Sequence, residues 1–310
     1  METTTPQKPV YNRTTAKLEA AGHNSTKEVQ LAAERSDTES KAEDEEEDDY
    51  FDDGNCLNPF EQDERTVVIA PPPVDPKLSP TEIWRRGLAP AGAKFEQFGK
   101  MTMLYQDTNS RGHTVWIGDS NLRNWVEKTN VFSECFLGGK HSFAYIPGGM
   151  FGQGDWDPKY CIDNKNLIIP IKHFEEWMVG VDRYVLWDSG NSYSRDNVKR
   201  EQEIYTPRRA KEVMLDILGS AEARYDGKCT IHVVGPPRRR DIDERLLRDV
   251  DNMYRDLEQK NFKYTSLLKP SERVLKELHM KPSSRFSLSD RYHVDTKCPI
   301  MRSYFKALIG

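Results

Sequence analysis

Short apolar runs that stop at turn residues, each followed by a helical pattern, constrain this chain more than any other feature. Residues 114–117 end at Gly118-Asp119, and 142–145 run into Ile146-Pro147-Gly148-Gly149. Residues 184–187 end at Asp188-Ser189-Gly190-Asn191, 230–234 end at Gly235-Pro236-Pro237, and 262–268 read as a last strand. Between them lie helical segments. Residues 121–127 follow the first run, and 172–179 form another short helix. Thr206-Pro207 gives a cap followed by proline at the first helical position, and Ala210, Val213, Met214, Ile217 and Leu218 keep helical spacing after it. From Asp241 onward Ile242, Leu246, Val250, Met253 and Leu257 line one helix face. Residues 270–279 and 299–309 are the last helices. Strands alternating with helices predict an α/β fold whose mainly parallel sheet is covered by helices on both faces.

The charge is unevenly spread. Residues 1–70 hold 7 basic and 18 acidic side chains, a net of −11, whereas the whole chain is −5, so the remainder is net +6. Residues 1–80 are poor in large apolar side chains and are expected to be a disordered acidic tail, since they bury too little to offset ordering entropy. Their acidic run 43–49, followed by Tyr50 and Phe51, is a candidate ligand for a basic protein partner. Pro71–Pro73, Pro76 and Pro80 mark a stiff linker, which is expected to run on through 81–109 with a short helix at 81–86 and loop over 87–99, and the folded domain is expected over 110–310.

Several classes are disfavoured. Five widely spaced cysteines (Cys56, Cys135, Cys161, Cys229, Cys298) with no Cys-x-x-Cys pair point to free thiols rather than a zinc or redox site. No metal is therefore expected. No apolar run reaches membrane-spanning length, and residues 1–17 lack the apolar core of a signal peptide, so the expected setting is cytoplasm or nucleus. There is no glycine-rich phosphate loop, no dinucleotide fingerprint and no internal repeat.

Ser120 follows the first strand and Gly118-Asp119. A serine there has two readings. It is an N-cap, or it is a nucleophile at the carboxyl end of a parallel strand, where α/β sheets bind ligands. A nucleophile needs a base, and the base needs an orienting group. Asp290 and His293, three residues apart before the last helix, supply that pair within one turn of chain. His23, His113, His141, His173, His232 and His279 fit less well, His232 because it lies inside a strand.

Gly118-Asp119-Ser120-Asn121 and Asp290-x-x-His293 together resemble the first and last blocks of the SGNH (GDSL) hydrolases. Pro147-Gly148 resembles the second block and Asn191 the third, in the right order over residues 110–310. The third block departs from the family's usual Gly-x-Asn-Asp: here it reads Ser189-Gly190-Asn191-Ser192. The resemblance implies a three-layer sandwich with a flavodoxin-like sheet. It implies serine-ester chemistry on a small acyl ester, with Ser120, His293 and Asp290 as the catalytic residues and no cofactor. Its oxyanion hole would be the N–H groups of Ser120 and Gly148 with the Asn191 amide.

Two basic clusters, Arg195, Lys199, Arg200, Arg208 and Arg209, then Arg238, Arg239 and Arg240, follow strand ends. They are either solvated helix flanks or an anion-binding surface for RNA or a lipid headgroup. The Pro236-Pro237-Arg238-Arg239 segment before an acidic helix start is similar to the esterase-like domain of non-LTR retroelement proteins. That similarity keeps open an inactive module that binds RNA or another partner.

Overall fold

Alternation along the central strands sets the layers. In β3 (His113–Gly118), Val115 and Ile117 join one apolar core and Trp116 the other. In β5 (Val181–Trp187), Tyr184 and Leu186 face one way, Val185 and Trp187 the other. Strands with apolar residues on both faces belong inside a sheet covered on both sides. The computed structural model describes residues 75, 77–106, 112–151, 166–195 and 206–310, all within the unit Val67–Gly310. The expected tail, apart from Asp75 and residues 77–80, lies outside the described residues.

Seven strands form one sheet in the order β1-β2-β4-β3-β5-β6-β7. The remaining strands are β1 (Ala93–Phe98), β2 (Met101–Gln106), β4 (His141–Tyr145), β6 (Thr230–Val234) and β7 (Phe262–Thr265). Strands β4, β3, β5, β6 and β7 pair in parallel, while β1 and β2 extend the sheet antiparallel beyond β4. Counting only the parallel strands in chain order gives 2-1-3-4-5, the flavodoxin-like order, whose switch point lies between β3 and β5.

One core packs under α4 (Ile168–Trp177), α5 (Pro207–Arg224) and α6 (Glu244–Asp256). The other packs under α1 (Pro80–Arg85), α2 (Ser120–Lys128), α3 (Ser133–Leu137), α7 (Glu272–Glu277) and α8 (Pro299–Ile309). Phe305 of α8 is the hub of the second core. Its ring lies 4.9 Å from Trp125, 5.0 Å from Phe132 and 5.2 Å from Trp187, centroid to centroid. It thereby fixes α2 against the ends of the central strands. Among the described residues, no helix is long and apolar enough to cross a membrane, and Cys135, Cys229 and Cys298 are free thiols.

The expected linker is a correction. Residues 93–98 and 101–106 are paired strands, joined by the two residues Gly99-Lys100, with Gly99 at φ +56°. A two-residue turn of that kind suits the twist of a hairpin. The expected boundary at residue 80 also moves. Leu78, Ser79 and Pro80 are buried, Ser79 caps α1 in a capping box with Glu82, and the Leu78 carbonyl accepts from Ser133 Oγ at 2.5 Å. The glycines and prolines of this stretch punctuate a hairpin and a helix rather than a spacer.

Three histidines serve the sheet as neutral groups. Trp116 Nε1 donates to His141 Nδ1 at 2.9 Å, His113 Nε2 pairs with Ser142 Oγ at 2.8 Å, and His232 Nε2 pairs with Thr265 Oγ1 at 2.8 Å. Burial holds each imidazole down to about 4. The unfolded chain therefore takes up protons first as pH falls, and folding stability is lost between about pH 6.5 and 4. We predict a thermal midpoint that declines across that window, with His232→Gln reducing the proton uptake on unfolding by about one proton. Equal proton uptake on unfolding in wild type and His232→Gln would mean that the folded protein carries this imidazole charged.

Candidate active site

A serine just after a parallel strand gains its position from whatever caps the helix behind it. Here Asp119 is the N-cap of α2, its Oδ1 accepting from Asn121 N at 2.8 Å. Ser120 therefore occupies the first helical position and the capping reading of Ser120 is set aside. Gly118, before the cap, allows Leu122 to close over the strand end: a Cβ there would stand 2.8 Å from Leu122 Cβ.

The expected base lies far along the chain. His293 Nε2 is 2.9 Å from Ser120 Oγ, and His293 Nδ1 is 2.7 Å from Asp290 Oδ2. The loop carrying this pair is a tight clasp, closed by Ser289 N to the His293 carbonyl at 2.9 Å and Asp295 N to the Ser287 carbonyl at 2.9 Å. Inside it, Asp290 Oδ1 accepts from Tyr292 N at 2.7 Å and His293 N at 2.8 Å. Burial raises the Asp290 carboxyl, but the donors on it outweigh that effect and hold it below the ordinary carboxylate range.

Asn121 joins the two ends and was not legible as a site residue. Its side chain, buried at 1 % exposure, accepts from Val294 N at 2.8 Å and donates to the Tyr292 carbonyl at 3.4 Å. The residue after Ser120 thus holds the residues on either side of His293.

The third component comes from the end of β5. Gly190 has φ +82°, and a Cβ there would stand 2.7 Å from Ile242 Cδ1, so the displaced glycine of this block is the residue the turn needs. It begins the short 3₁₀ turn Asn191–Tyr193. Asn191 Nδ2 donates to Asp119 Oδ2, and to the Gly149 carbonyl at 3.2 Å. Ser189 Oγ donates to Asp119 Oδ1 at 2.6 Å. Burial pushes the Asp119 carboxyl up, against the opposing pull of Ser189, Asn121 N and the charges of Arg239 and His293. Gly148, at φ +71°, stands in the turn after β4. Among the described residues neither its N–H nor that of Ser120 has an acceptor. The expected catalytic and oxyanion residues therefore gather at the carboxyl edge of the sheet around the switch point.

Most of the expected anion-binding residues that are described stand beside carboxylates. Arg195 is exposed and 4.0 Å from Asp243. Arg208 and Arg209 flank Glu212 at 3.2 and 3.3 Å, and Arg238 pairs with Glu244 at 2.7 Å. Arg240 lines a cleft of about 500 Å³ with Leu288, Asp290 and Arg291. Arg239 is buried, so it is no part of a surface, and Lys199 and Arg200 lie outside the described residues. Among the described residues no group of three or more His, Cys, Asp or Glu side chains is placed to hold a metal ion.

No protein-family model matches the sequence, and no curated protein matches it. Solved structures with a similar outline include a putative arylesterase from Agrobacterium tumefaciens, at 14 % identity and TM-score 0.39, over 64 % of this chain and 97 % of that one. A carbohydrate acetylesterase from Sinorhizobium meliloti has 13 % identity and TM-score 0.41, over 64 % of this chain and all of that one. An inhibitor-bound aryl esterase from M. smegmatis has 12 % identity and TM-score 0.41, over 64 % and 97 %.

Asn121→Ala would leave the buried Val294 N–H without an acceptor. We predict a loss of about 1–3 kcal/mol in unfolding free energy, read as a lower denaturant midpoint at unchanged slope. An unmoved midpoint would show that the base loop is held by its other contacts alone.

Proposed function

We propose that this chain is a serine ester hydrolase, cleaving a small acyl ester through Ser120, His293 and Asp290. One observation carries the reading: an unbroken relay from Ser120 Oγ to His293 Nε2 at 2.9 Å and from His293 Nδ1 to Asp290 Oδ2 at 2.7 Å. Productive nucleophile–base–orienter sets have these contacts in this order.

In the proposed cycle Ser120 Oγ attacks the ester carbonyl carbon while its proton passes to His293 Nε2. Asp290, kept ionised by the donors around it, holds Nδ1–H and steadies the imidazolium. The tetrahedral oxygen takes the N–H groups of Ser120 and Gly148. It also takes the Nδ2 hydrogen now on the Gly149 carbonyl, the longer of the two acceptors of that amide. Collapse expels the alcohol, which receives the proton from His293 and leaves Ser120 acylated. Water, deprotonated by the same imidazole, then releases the acid. The oxyanion donors carry a large share of such a rate enhancement, since one donor is worth about 10²–10³ in kcat.

The alternative of an inactive RNA-binding module, and with it the similarity to retroelement esterase-like domains, has weaker support. Of the described arginines in its basic clusters, one is buried and four stand beside carboxylates.

The test is fluorophosphonate labelling of the full chain together with turnover of p-nitrophenyl acetate. Wild type should form an adduct at Ser120 and hydrolyse the ester. Ser120→Ala and His293→Ala should each lose nearly all turnover, because nucleophile and base act as a unit. Asn191→Ala should fall by about 100-fold. Equal turnover by wild type and Ser120→Ala would move the activity to another residue. Wild type with neither adduct nor turnover, but salt-sensitive RNA binding, would favour the inactive module.

A further inference from the structure

An asparagine amide presents a donor on one side and an acceptor on the other, and at an oxyanion site only one orientation is useful. The surroundings of Asn191 decide which. Arg239, which is 4 % exposed, donates from its guanidinium to Asn191 Oδ1 at 2.7 Å and from the same nitrogen to the Ser189 carbonyl at 2.9 Å. A guanidinium has donors and no acceptor. The opposite side of the amide meets the Asp119 carboxylate and the Gly149 carbonyl, which accept. A reversed amide would set donor against donor on one side and acceptor against acceptor on the other.

The guanidinium is itself fixed. Asp241 accepts from Arg239 Nε at 3.0 Å and from a terminal nitrogen at 2.6 Å, the two-pronged geometry that holds an arginine plane. Its centre lies 5.1 Å from the ring centroid of Tyr292, inside the loop that carries His293. One buried cation therefore touches the third block, the base loop and the segment after β6. Its sequence neighbours differ: Arg238 and Arg240 lie at the surface.

We propose that Arg239 is a positioning residue, which holds the Asn191 side chain with Oδ1 on the guanidinium and Nδ2 toward Asp119 and the Gly148-Gly149 turn. Its contribution to turnover rests on the esterase reading above. Its hold on the amide does not.

The experiment has two arms. In the first, the full chain is labelled with ¹⁵N, and the Asn191 side-chain amide is identified by its disappearance in Asn191→Ala. Wild type should show two resolved, slowly exchanging protons. Arg239→Lys, which keeps the charge and loses the fork, should broaden or average them. In the second arm, turnover of p-nitrophenyl acetate by Arg239→Lys should fall by about 10-fold or more, with KM changing less than about threefold. Adding Arg239→Lys to Asn191→Ala should cost nothing further, because both act through one amide. Should Arg239→Lys fail to fold, Asp241→Asn tests the same clamp, and it should loosen the amide and lower kcat with KM little changed.

An Asn191 amide unchanged in these variants, or losses that multiply in the double variant, would overturn the proposal. A wild type without turnover would remove the esterase reading, and the amide signal would then judge Arg239 by itself. A silent wild type with an undisturbed amide in Arg239→Lys would overturn both.

Discussion

A carboxylate can be buried only if donors surround it, and the carboxylate of Asp119 sets this requirement at the centre of the molecule. It is 1 % exposed and takes hydrogen bonds from Asn121 N, Ser189 Oγ and Asn191 Nδ2. The first donor belongs to α2, and the other two belong to the turn after β5. The first fixes the start of α2 and so the place of Ser120. The others draw the turn after β5 across to the end of β3. Between those strands lies the switch point, where the chain leaves in opposite directions and a crevice opens. Asp119 links the ends of β3 and β5 there, and the residues proposed to act on substrate stand around it.

The parallel core was legible because its signals are local. Runs such as 230–234 are apolar, β-branched and stopped by Gly235-Pro236-Pro237, and β6 occupies Thr230–Val234. Thr206-Pro207 marked the start of α5, where Thr206 Oγ1 accepts from Arg209 N at 3.2 Å. The pair Asp290 and His293 was legible for the same reason, since three residues of separation suffice to join carboxylate and imidazole. The hairpin of β1 and β2 was not. Strand β1 is only partly buried, with Lys94 before Phe95 and Glu96-Gln97 between Phe95 and Phe98, and the glycines around it read as loop. Its turn, Gly99-Lys100, is the signal that would have found it.

Arg239 and Asn121 escaped for a different reason. A run of three arginines reads as solvated charge, and nothing in the run says that the middle one turns inward to meet Asp241 and Asn191. Asn121 beside a serine reads as an ordinary helix residue, whereas its partners are Tyr292 and Val294. Both acquire their roles from segments distant in the chain. Local pattern carries the elements of this fold, and long-range pairing carries the polar framework of the site.

That long-range pairing has a consequence for when the molecule is complete. The hydrogen bond between His293 and Ser120 spans 173 residues, as does that between Val294 and Asn121. Contacts of such separation close a large loop and form late, after the intervening strands have paired. Phe305, still further along the chain, must then seat against Trp125 before α2 is pinned from behind. A chain in which residues 290–294 are not yet made therefore has Ser120 in place without the imidazole that neighbours it in the folded protein. The contact of Phe305 with Trp125 thus ties the last helix to the helix that carries Ser120.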